Sequence, residues 1–511
     1  MRRRWVVVLA AGALALLGTG CAQPAPTTTP MPHATPVSTA AAGRAAGGPA
    51  GSWGRAIEVL LDTAGSAHLV SVSCASAGNC AAGGYYTSRG YQVFVVSERH
   101  GRWGRAIEVP GLRALNKGGQ AFLGSVSCGS AGNCAAGGSY LDGNRRSEGF
   151  VVSETNGRWG RAIEVPGLGA LNTGSDGQPG AAVTSVSCAS AGNCAAGGSY
   201  QDQHRHTQGF VVSETNGRWG RAIEVPGLGA LNTGAVFVAD GAEVLSVSCA
   251  SAGNCAAGGY FSIRPAADRE RRQAFVVSEH NGHWAMAIEV PGIAALNAGH
   301  YAEVSSVSCA SAGNCAAGGN YASSAPNING GGHQQGFVVS ESNGTWGQAT
   351  AVPGLGALNT HGDAVVESMS CASRGNCTAG GLYDGEPQYN DGYGKGYLVT
   401  ETNGSWGQAI NIPGLRAMHA GPYSDVRSVS CTSPGNCAAG GLYADASGNG
   451  QALVIIENNG TWGRASNIAG LKALNTEGAA AVDSVSCPRA GQCVAGGAYR
   501  DSSRHFRAFV T

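Results

Sequence analysis

Charge is scarce in this chain. Of its 511 residues only 13% are Asp, Glu, Lys or Arg, and the formal net charge is zero. A nucleic-acid footprint needs a clear basic excess, so that class of partner is excluded. Acidic and basic runs of the kind that form interaction tails are missing as well. Aromatic residues make up 7%. After residue 50 no segment shows a helical period, and no dinucleotide or phosphate-loop fingerprint stands in a strand-to-helix context; glycine-spaced strings mean little in a chain with 83 glycines. No His recurs beside the cysteines, which removes the further ligands that thiolate metal sites would need. The repeated serines have no recurring His or Asp partner for nucleophilic work. The chain is thus read without cofactor or metal, and more readily as a non-enzyme than as an enzyme.

What is present is repetition. The string SVSCASAGNCAAGG begins at Ser71 and returns, slightly altered, through the chain. It carries eight C-x5-C pairs: Cys74/Cys80, Cys128/Cys134, Cys188/Cys194, Cys249/Cys255, Cys309/Cys315, Cys371/Cys377, Cys431/Cys437 and Cys487/Cys493. With Cys21 they account for all 17 cysteines. Each repeat reads as four short strands, typified by SVSC, CAAGG with an aromatic, FVVSE (Phe150 to Glu154) and WGRAIEV (Trp159 to Val165). Asn-Gly between the third and fourth is a hairpin signal. Adjacent antiparallel strands bring facing Cβ atoms within disulfide range, so each pair is read as a staple across its own turn.

Four-stranded units repeated eight times suggest a β-propeller, with an open β-solenoid as the rival. The ends decide. Gly51 to Val59 reads as a fourth strand with no first three before it, and Ala508 to Thr511 as a third strand without a fourth. If the N-terminal strand completes the last blade, the result is an all-β, eight-bladed propeller of four-stranded antiparallel blades spanning 51–511.

Ahead of that body lie two other segments. Arg2, Arg3 and Arg4 precede an apolar run from Trp5 to Leu17, too short to span a bilayer comfortably. The sequence Leu17-Gly18-Thr19-Gly20-Cys21 resembles a bacterial lipoprotein lipobox, although its large aliphatic residue stands four rather than three before the cysteine. The resemblance implies a signal peptide over 1–21 and lipidation at Cys21. Residues 22–50, rich in Pro, Thr, Ala and Gly, read as a disordered tether reaching on the order of 30 Å. The expected address is the outer face of the cytoplasmic membrane through a lipid anchor, or secretion, with membrane contact through the anchor alone.

The combination of W-G-x-A, VPGLGALN and SVSCASAGNCAAGG resembles repeats in exported, uncharacterised propeller-like proteins of high-GC Gram-positive bacteria. The resemblance covers nearly all of 51–511 and implies fold and export, not activity. Ser340 to Trp346, SESNGTW, is loosely similar to the sialidase Asp-box but lacks its Asp and spacing, so no sialidase residue is carried over.

Whatever recurs in every repeat builds the blade, and whatever differs is free to serve function. The second-to-third and fourth-to-first connections are long and variable, and in a propeller both lie on one face. A recurring aromatic (Tyr86, Tyr140, Tyr200, Phe261, Tyr321, Tyr383, Tyr443, Tyr499) suits either sugar stacking or packing; strict recurrence favours packing. Eight recurring tryptophans, Trp53 to Trp462, read as structural. Glu98, Glu154, Glu214 and Glu279 end third strands beside arginines and read as cross-strand ion pairs. Among variable loops, Arg269, Arg271 and Arg272 suit an anionic group. Tyr389 and Tyr393 lie in an Asp/Glu-bearing loop open to calcium chemistry. His204 and His206, with Asp202 nearby, form a weak zinc pattern. The arginine and tyrosine loops are the ligand-face candidates, each more often a solvated loop. The reading is a monomeric surface binding or scaffolding module for a cell-wall glycan or an envelope protein, and the alternative is a propeller hydrolase or lyase acting on extracellular polysaccharide.

Overall fold

The computed structural model describes residues 53–61, 65–174, 180–234, 241–263, 271–324, 333–360, 362–384 and 394–511. Cys21, the signal-like segment and the tether lie outside them, as do Arg269, Tyr389 and Tyr393.

Eight antiparallel sheets follow one another along the chain. In the first blade the strands are Ala67–Ser76, Asn79–Thr87 and Tyr91–Arg99, and the pieces Arg102–Trp103 and Ile107–Glu108 form the outer edge. The first strands of successive blades pack side by side, and Ala480–Arg489 of blade eight packs against Ala67–Ser76 of blade one, so the inner ring closes. The closing strand is Ile57–Glu58, in register with Val510 and Phe509. Tyr499 donates to Glu58 at 3.0 Å across the same junction. The eight-bladed propeller, closed by its N-terminal strand, is therefore the observed fold.

The expected fourth strand is broken in two. In blade two, Arg158 and Trp159 pair with Thr155 and Glu154, while Ile163 and Glu164 pair with Val151 and Phe150. The residues between bulge away because Ala162 N–H donates to the Pro110 carbonyl of the preceding blade at 2.7 Å. The same bond joins Ala222 to Pro166, Ala287 to Pro226, Ala349 to Pro291, Ala409 to Pro353 and Ala465 to Pro413. The fourth strands of blades two to seven thus give up ladder bonds to grip their neighbours, and in blade eight Ala56 N–H donates to the Ala469 carbonyl of blade seven at 2.9 Å. The proline belongs to VPG. Its glycine takes positive φ, 80° at Gly111, and the chain then makes one helical turn, Leu112–Leu115. A single turn is too short to leave a period in the sequence.

Inner strands carry their own seam. Cys128 N–H donates to Ser73 Oγ at 3.0 Å, Cys188 to Ser127 at 2.9 Å, and so on round the ring to Cys74 and Ser486 at 2.9 Å. The serines of SVSC therefore satisfy edge N–H groups that the next blade's ladder leaves unpaired. The core consists of layers between blades. One holds Leu123, Val126 and Phe150 of blade two against Ala81, Val93 and Val95 of blade one. The paired glycines of the second strand are needed for close approach: a Cβ on Gly138 would stand 2.0 Å from the Phe122 carbonyl oxygen.

All eight C-x5-C pairs are disulfides within their own repeats. They are Cys74–Cys80, Cys128–Cys134, Cys188–Cys194, Cys249–Cys255, Cys309–Cys315, Cys371–Cys377, Cys431–Cys437 and Cys487–Cys493. In the first seven the two cysteines stand directly opposite each other in the ladder, as Cys74 does to Cys80. There the second cysteine is the buried one: Cys80, Cys134, Cys194, Cys255, Cys315, Cys377 and Cys437 all join the layers between blades, while their partners are half-buried. The eighth staple departs from the uniform pattern expected. Cys487 is buried and Cys493 half-buried, and the regular pairing is interrupted between Ser486 and Arg489. Pro488, which has no N–H for the ladder, stands there in place of the Ala, Gly or Thr of the other repeats. Eight such bonds belong in an oxidising compartment. Among the described residues no helix is long and apolar enough to cross a membrane.

Candidate functional site at the mouth of the ring

Every first strand enters from the variable face and leaves at the stapled turn. Along it the buried residues, such as Leu69 and Val72, point between blades. The positions six and four before each first cysteine turn towards the axis. They are the columns in which the repeats disagree most: His68, Phe122, Ala182, Glu243, Glu303, Val365, Asp425, Ala481, and Val70, Gly124, Thr184, Leu245, Ser305, Glu367, Arg427, Asp483. A carboxylate therefore stands on the inner strand of each of blades four to eight, and none does in blades one to three.

The acidic arc has two centres. In blades seven and eight, Arg427 bridges Asp425 (Nε–Oδ2 3.0 Å) and Asp483 (Nη1–Oδ1 2.6 Å). Asp425 also accepts from Tyr423 Oη at 3.1 Å and from Leu442 N–H at 2.9 Å. Glu367 of blade six faces this group, and its Oε2 has no hydrogen-bond partner. Burial, helped by Asp425 and Asp483 and opposed by Arg427, pushes its carboxyl up to about 8. In blades four and five, Arg272 pairs with Glu303 at 2.8 Å and bonds Tyr301 Oη at 3.0 Å. Its guanidinium lies 3.8 Å over the Tyr260 ring. Glu243 accepts from Tyr260 at 3.2 Å and Ser199 at 3.3 Å, and burial pushes it up to about 7.

Beside the acidic centre of blades seven and eight, and across the ring from that of blades four and five, stands an aromatic arc from blades eight, one and two. His68 lies 4.5 Å from Phe506 and stacks on Tyr85 at 5.2 Å between centroids. Phe122 lies 5.3 Å from Tyr85 and 4.9 Å from Tyr91, and Tyr91 is 38% exposed. Burial drives His68 down to about 4, so at neutral pH it is an uncharged ring among rings.

The candidates named from sequence fall in different places. Arg271 and Arg272 open the third strand of blade four, but Arg272 faces inward and is bound up with Glu303, Tyr301 and Tyr260, not held out to an external anion. The staple cysteines, from Cys74 and Cys80 to Cys487 and Cys493, stand at the other end of the inner strands and contribute nothing to the mouth. His206 sits 3.5 Å from Asp202, whose Oδ1 accepts from His204 and His206 N–H; the carboxylate shapes the loop. Among the described residues no group of three His, Cys, Asp or Glu is placed to hold a metal ion. The recurring tyrosines are buried, and Tyr86, Tyr200 and Tyr443 bond Glu108, Glu224 and Asn467 of their own fourth strands.

The expected ion pairs at the end of the third strands are replaced by something else. Glu154 accepts from Ser97 of the preceding blade at 2.8 Å, and Ser97 accepts from Trp159 Nε1 at 3.1 Å. The relay recurs at Glu214, Ser153 and Trp219, at Glu279, Ser213 and Trp284, and at Glu341, Ser278 and Trp346. The adjacent arginines mostly point to solvent; of them Arg99 comes within 3.6 Å of Glu154, a carboxylate in the next blade.

No family model matches the chain, and no curated protein matches it either. Solved propellers do. The propeller domain of the Trilobed protease from Pyrococcus furiosus aligns at 9% identity and TM-score 0.40, over 78% of this chain and 97% of that one. An ulvan lyase of polysaccharide lyase family PL25 aligns at 10% identity and TM-score 0.40, over 75% and 90%. The BP39L lectin from Burkholderia pseudomallei aligns at 12% identity and TM-score 0.39, over 79% and 99%. At these values the likeness carries nothing about activity.

Proposed function

We propose that this chain is an exported surface module that binds a cell-wall glycan at the variable-face mouth of its ring, held to the membrane by lipid at Cys21. One observation carries the reading: the divided lining of the inner ring. Aromatic rings stack on the apolar faces of sugars, and carboxylates accept hydrogen bonds from sugar hydroxyls. Here the two chemistries occupy separate arcs that meet at blade eight, so an oligosaccharide entering along the axis meets both. The recurring staples and serine seams hold the lining still, which lowers the ordering cost of binding. An envelope protein is the other partner that suits such a mouth.

A second reading has an observation of its own. Glu367, raised to about 8, lies against Asp425 and Asp483. A carboxyl group with a raised value beside a second carboxyl group is the arrangement that glycoside cleavage uses. Against it, Arg427 holds both aspartates in charged pairs, which favours a fixed lining over a reacting centre.

The test is retention of the oxidised full chain on purified cell-wall polysaccharide and on envelope extract, with released sugar measured in the same tubes. Retention that Tyr91→Ala and Glu367→Gln each weaken about tenfold, with no sugar released, is the expected result. Released sugar that Glu367→Gln abolishes would replace binding with hydrolysis or lysis.

A further inference from the structure

On the opposite, stapled face, a groove of about 390 Å³ runs between blades six and seven. Thr400, Thr402 and Gln408 of blade six form one wall; Asn459, Gly460 and Trp462 of blade seven form the other, with Glu457 at the floor. Glu457 is 1% exposed, and its Oε2 has no hydrogen-bond partner, while Oε1 accepts from Thr400 at 3.4 Å. It is the only charged residue lining the groove. The same Oε2 is without a partner at Glu98, Glu154, Glu279, Glu341 and Glu401; at Glu457 the carboxyl lines an open groove, where a ligand cation can pair with its ionised form.

The same seam between blades one and two holds a cation of the chain's own beside the carboxylate's Oε1, while Oε2 is without a hydrogen-bond partner there too. Arg99 takes the place of Thr402, and its guanidinium lies across the groove, 3.6 Å from Glu154, the counterpart of Glu457. A Cβ added to Gly157 would meet that guanidinium at 2.5 Å; at the matching Gly460 it would meet nothing within 4 Å. One seam is filled by the chain's own cation, and the other is open. The residue before each seam tryptophan also changes round the ring. It is Arg102, Arg158, Arg218 and His283 in blades one to four, and Thr345, Ser405 and Thr461 in blades five to seven.

From the open carboxylate and the internal precedent of Arg99, we infer that the groove between blades six and seven takes a guanidinium or primary ammonium group from a ligand, seated on Glu457 and against Trp462. The indole face adds cation–π attraction, and the amides of Gln408 and Asn459 lie at the rim for hydrogen bonds. The site lies at the opposite end of the ring from the glycan mouth and does not depend on that reading.

The experiment uses the full-length oxidised protein and three small probes of matched shape: methylguanidinium, methylammonium and neutral methylurea. Calorimetry, with nuclear magnetic resonance of the Trp462 indole as site marker, should show the two cations binding with Kd on the order of 1 mM and methylurea at least tenfold more weakly. Glu457→Gln should weaken the cations about tenfold and leave methylurea unmoved. Thr402→Arg, which rebuilds the filled seam, should abolish the Trp462 response in a folded protein. Arg99→Thr should add one site, seen at Trp159. Equal binding of methylurea, an unchanged Kd in Glu457→Gln, or an undisturbed Trp462 signal up to about 50-fold above the expected Kd would overturn the assignment.

Discussion

Ser97 of blade one donates its hydroxyl hydrogen to Glu154 of blade two across 2.8 Å, in a seam where Glu154 is 3% exposed. The carboxylate's second oxygen is buried with no partner. Seven blades carry this glutamate, and the stability of the ring depends on its protonation.

The pH dependence follows directly. Burial raises Glu98 to about 7 and raises Glu154, Glu214, Glu279, Glu341, Glu401 and Glu457 above the ordinary carboxylate value. A group whose folded value is raised binds its proton more tightly in the native state. The stability it lends is full below the unfolded value, near 4.5, and is lost as pH rises through the folded value. Tm should therefore fall between about pH 5 and pH 8, read by calorimetry at constant ionic strength. Glu98→Gln should flatten that slope. A Tm that climbs over this window would contradict the buried-acid account. Asp445, lowered chiefly by backbone N–H groups, and Asp501, lowered first by Arg507 and then by backbone N–H groups, both against their own burial, act in the opposite sense and only at lower pH.

Each staple should be separable from the rest. Closing so small a loop is worth about 2 kcal/mol in the chain-entropy model. Replacing Cys188 and Cys194 together by alanine should lower unfolding free energy by about that amount and leave the other seven bonds intact. Denaturant titration gives the first figure, and peptide mapping without reduction gives the second.

The inner seam rests on serine. Ser127 Oγ accepts from Cys188 N–H at 2.9 Å. Ser127→Ala strands that donor at an edge with no other strand to pair it, at a cost of about 1–3 kcal/mol. Ser127→Thr, which keeps the oxygen, should recover part of the loss. Equal stability of both variants would show that water serves the N–H as well as the serine does.

Ring closure makes a sharper demand. Removing 53–59 deletes the partner of Phe509 and Val510 and exposes an open sheet edge. The expected outcome is a lower Tm together with concentration-dependent oligomers in light scattering. A monomer with an unchanged melting curve would mean that blade eight stands on three strands.

The ring, its staples and its closing strand were legible because they depend on residues that recur at fixed spacing. The spacing paired Cys80 with Cys74, Cys134 with Cys128, Cys255 with Cys249 and Cys437 with Cys431, as observed. It also paired Cys493 with Cys487, but there the constant spacing concealed the altered register around Pro488. The broken fourth strand was not legible. Its cause is the Pro110 carbonyl in another blade, and no local pattern of WGRAIEV announces a partner one repeat earlier. Glu154 was misread for a related reason. Arginines adjacent in sequence suggested ion pairs, while the true partner sat one repeat away. The loops of Arg269 and Tyr389 attracted notice through charge density. The axial residues Glu243, Asp425 and Asp483 were visible as disagreements within an otherwise constant column, and a column-by-column comparison would have singled them out. Their convergence is a property of the closed ring alone.

Closing the ring with the N-terminal strand also settles where the molecule bears load. Any pull transmitted from the chain before residue 53 meets Trp53 and the bond of Ala56 N–H to the Ala469 carbonyl, and then Ile57 and Glu58, a contact two residues long in its ladder. It arrives there before it reaches any disulfide, because the staples tie strands one and two and leave this junction unclamped. Tension thus opens blade eight first and converts the ring into a curved array with its seven other blades still stapled. The latch that completes the fold is also its mechanical fuse.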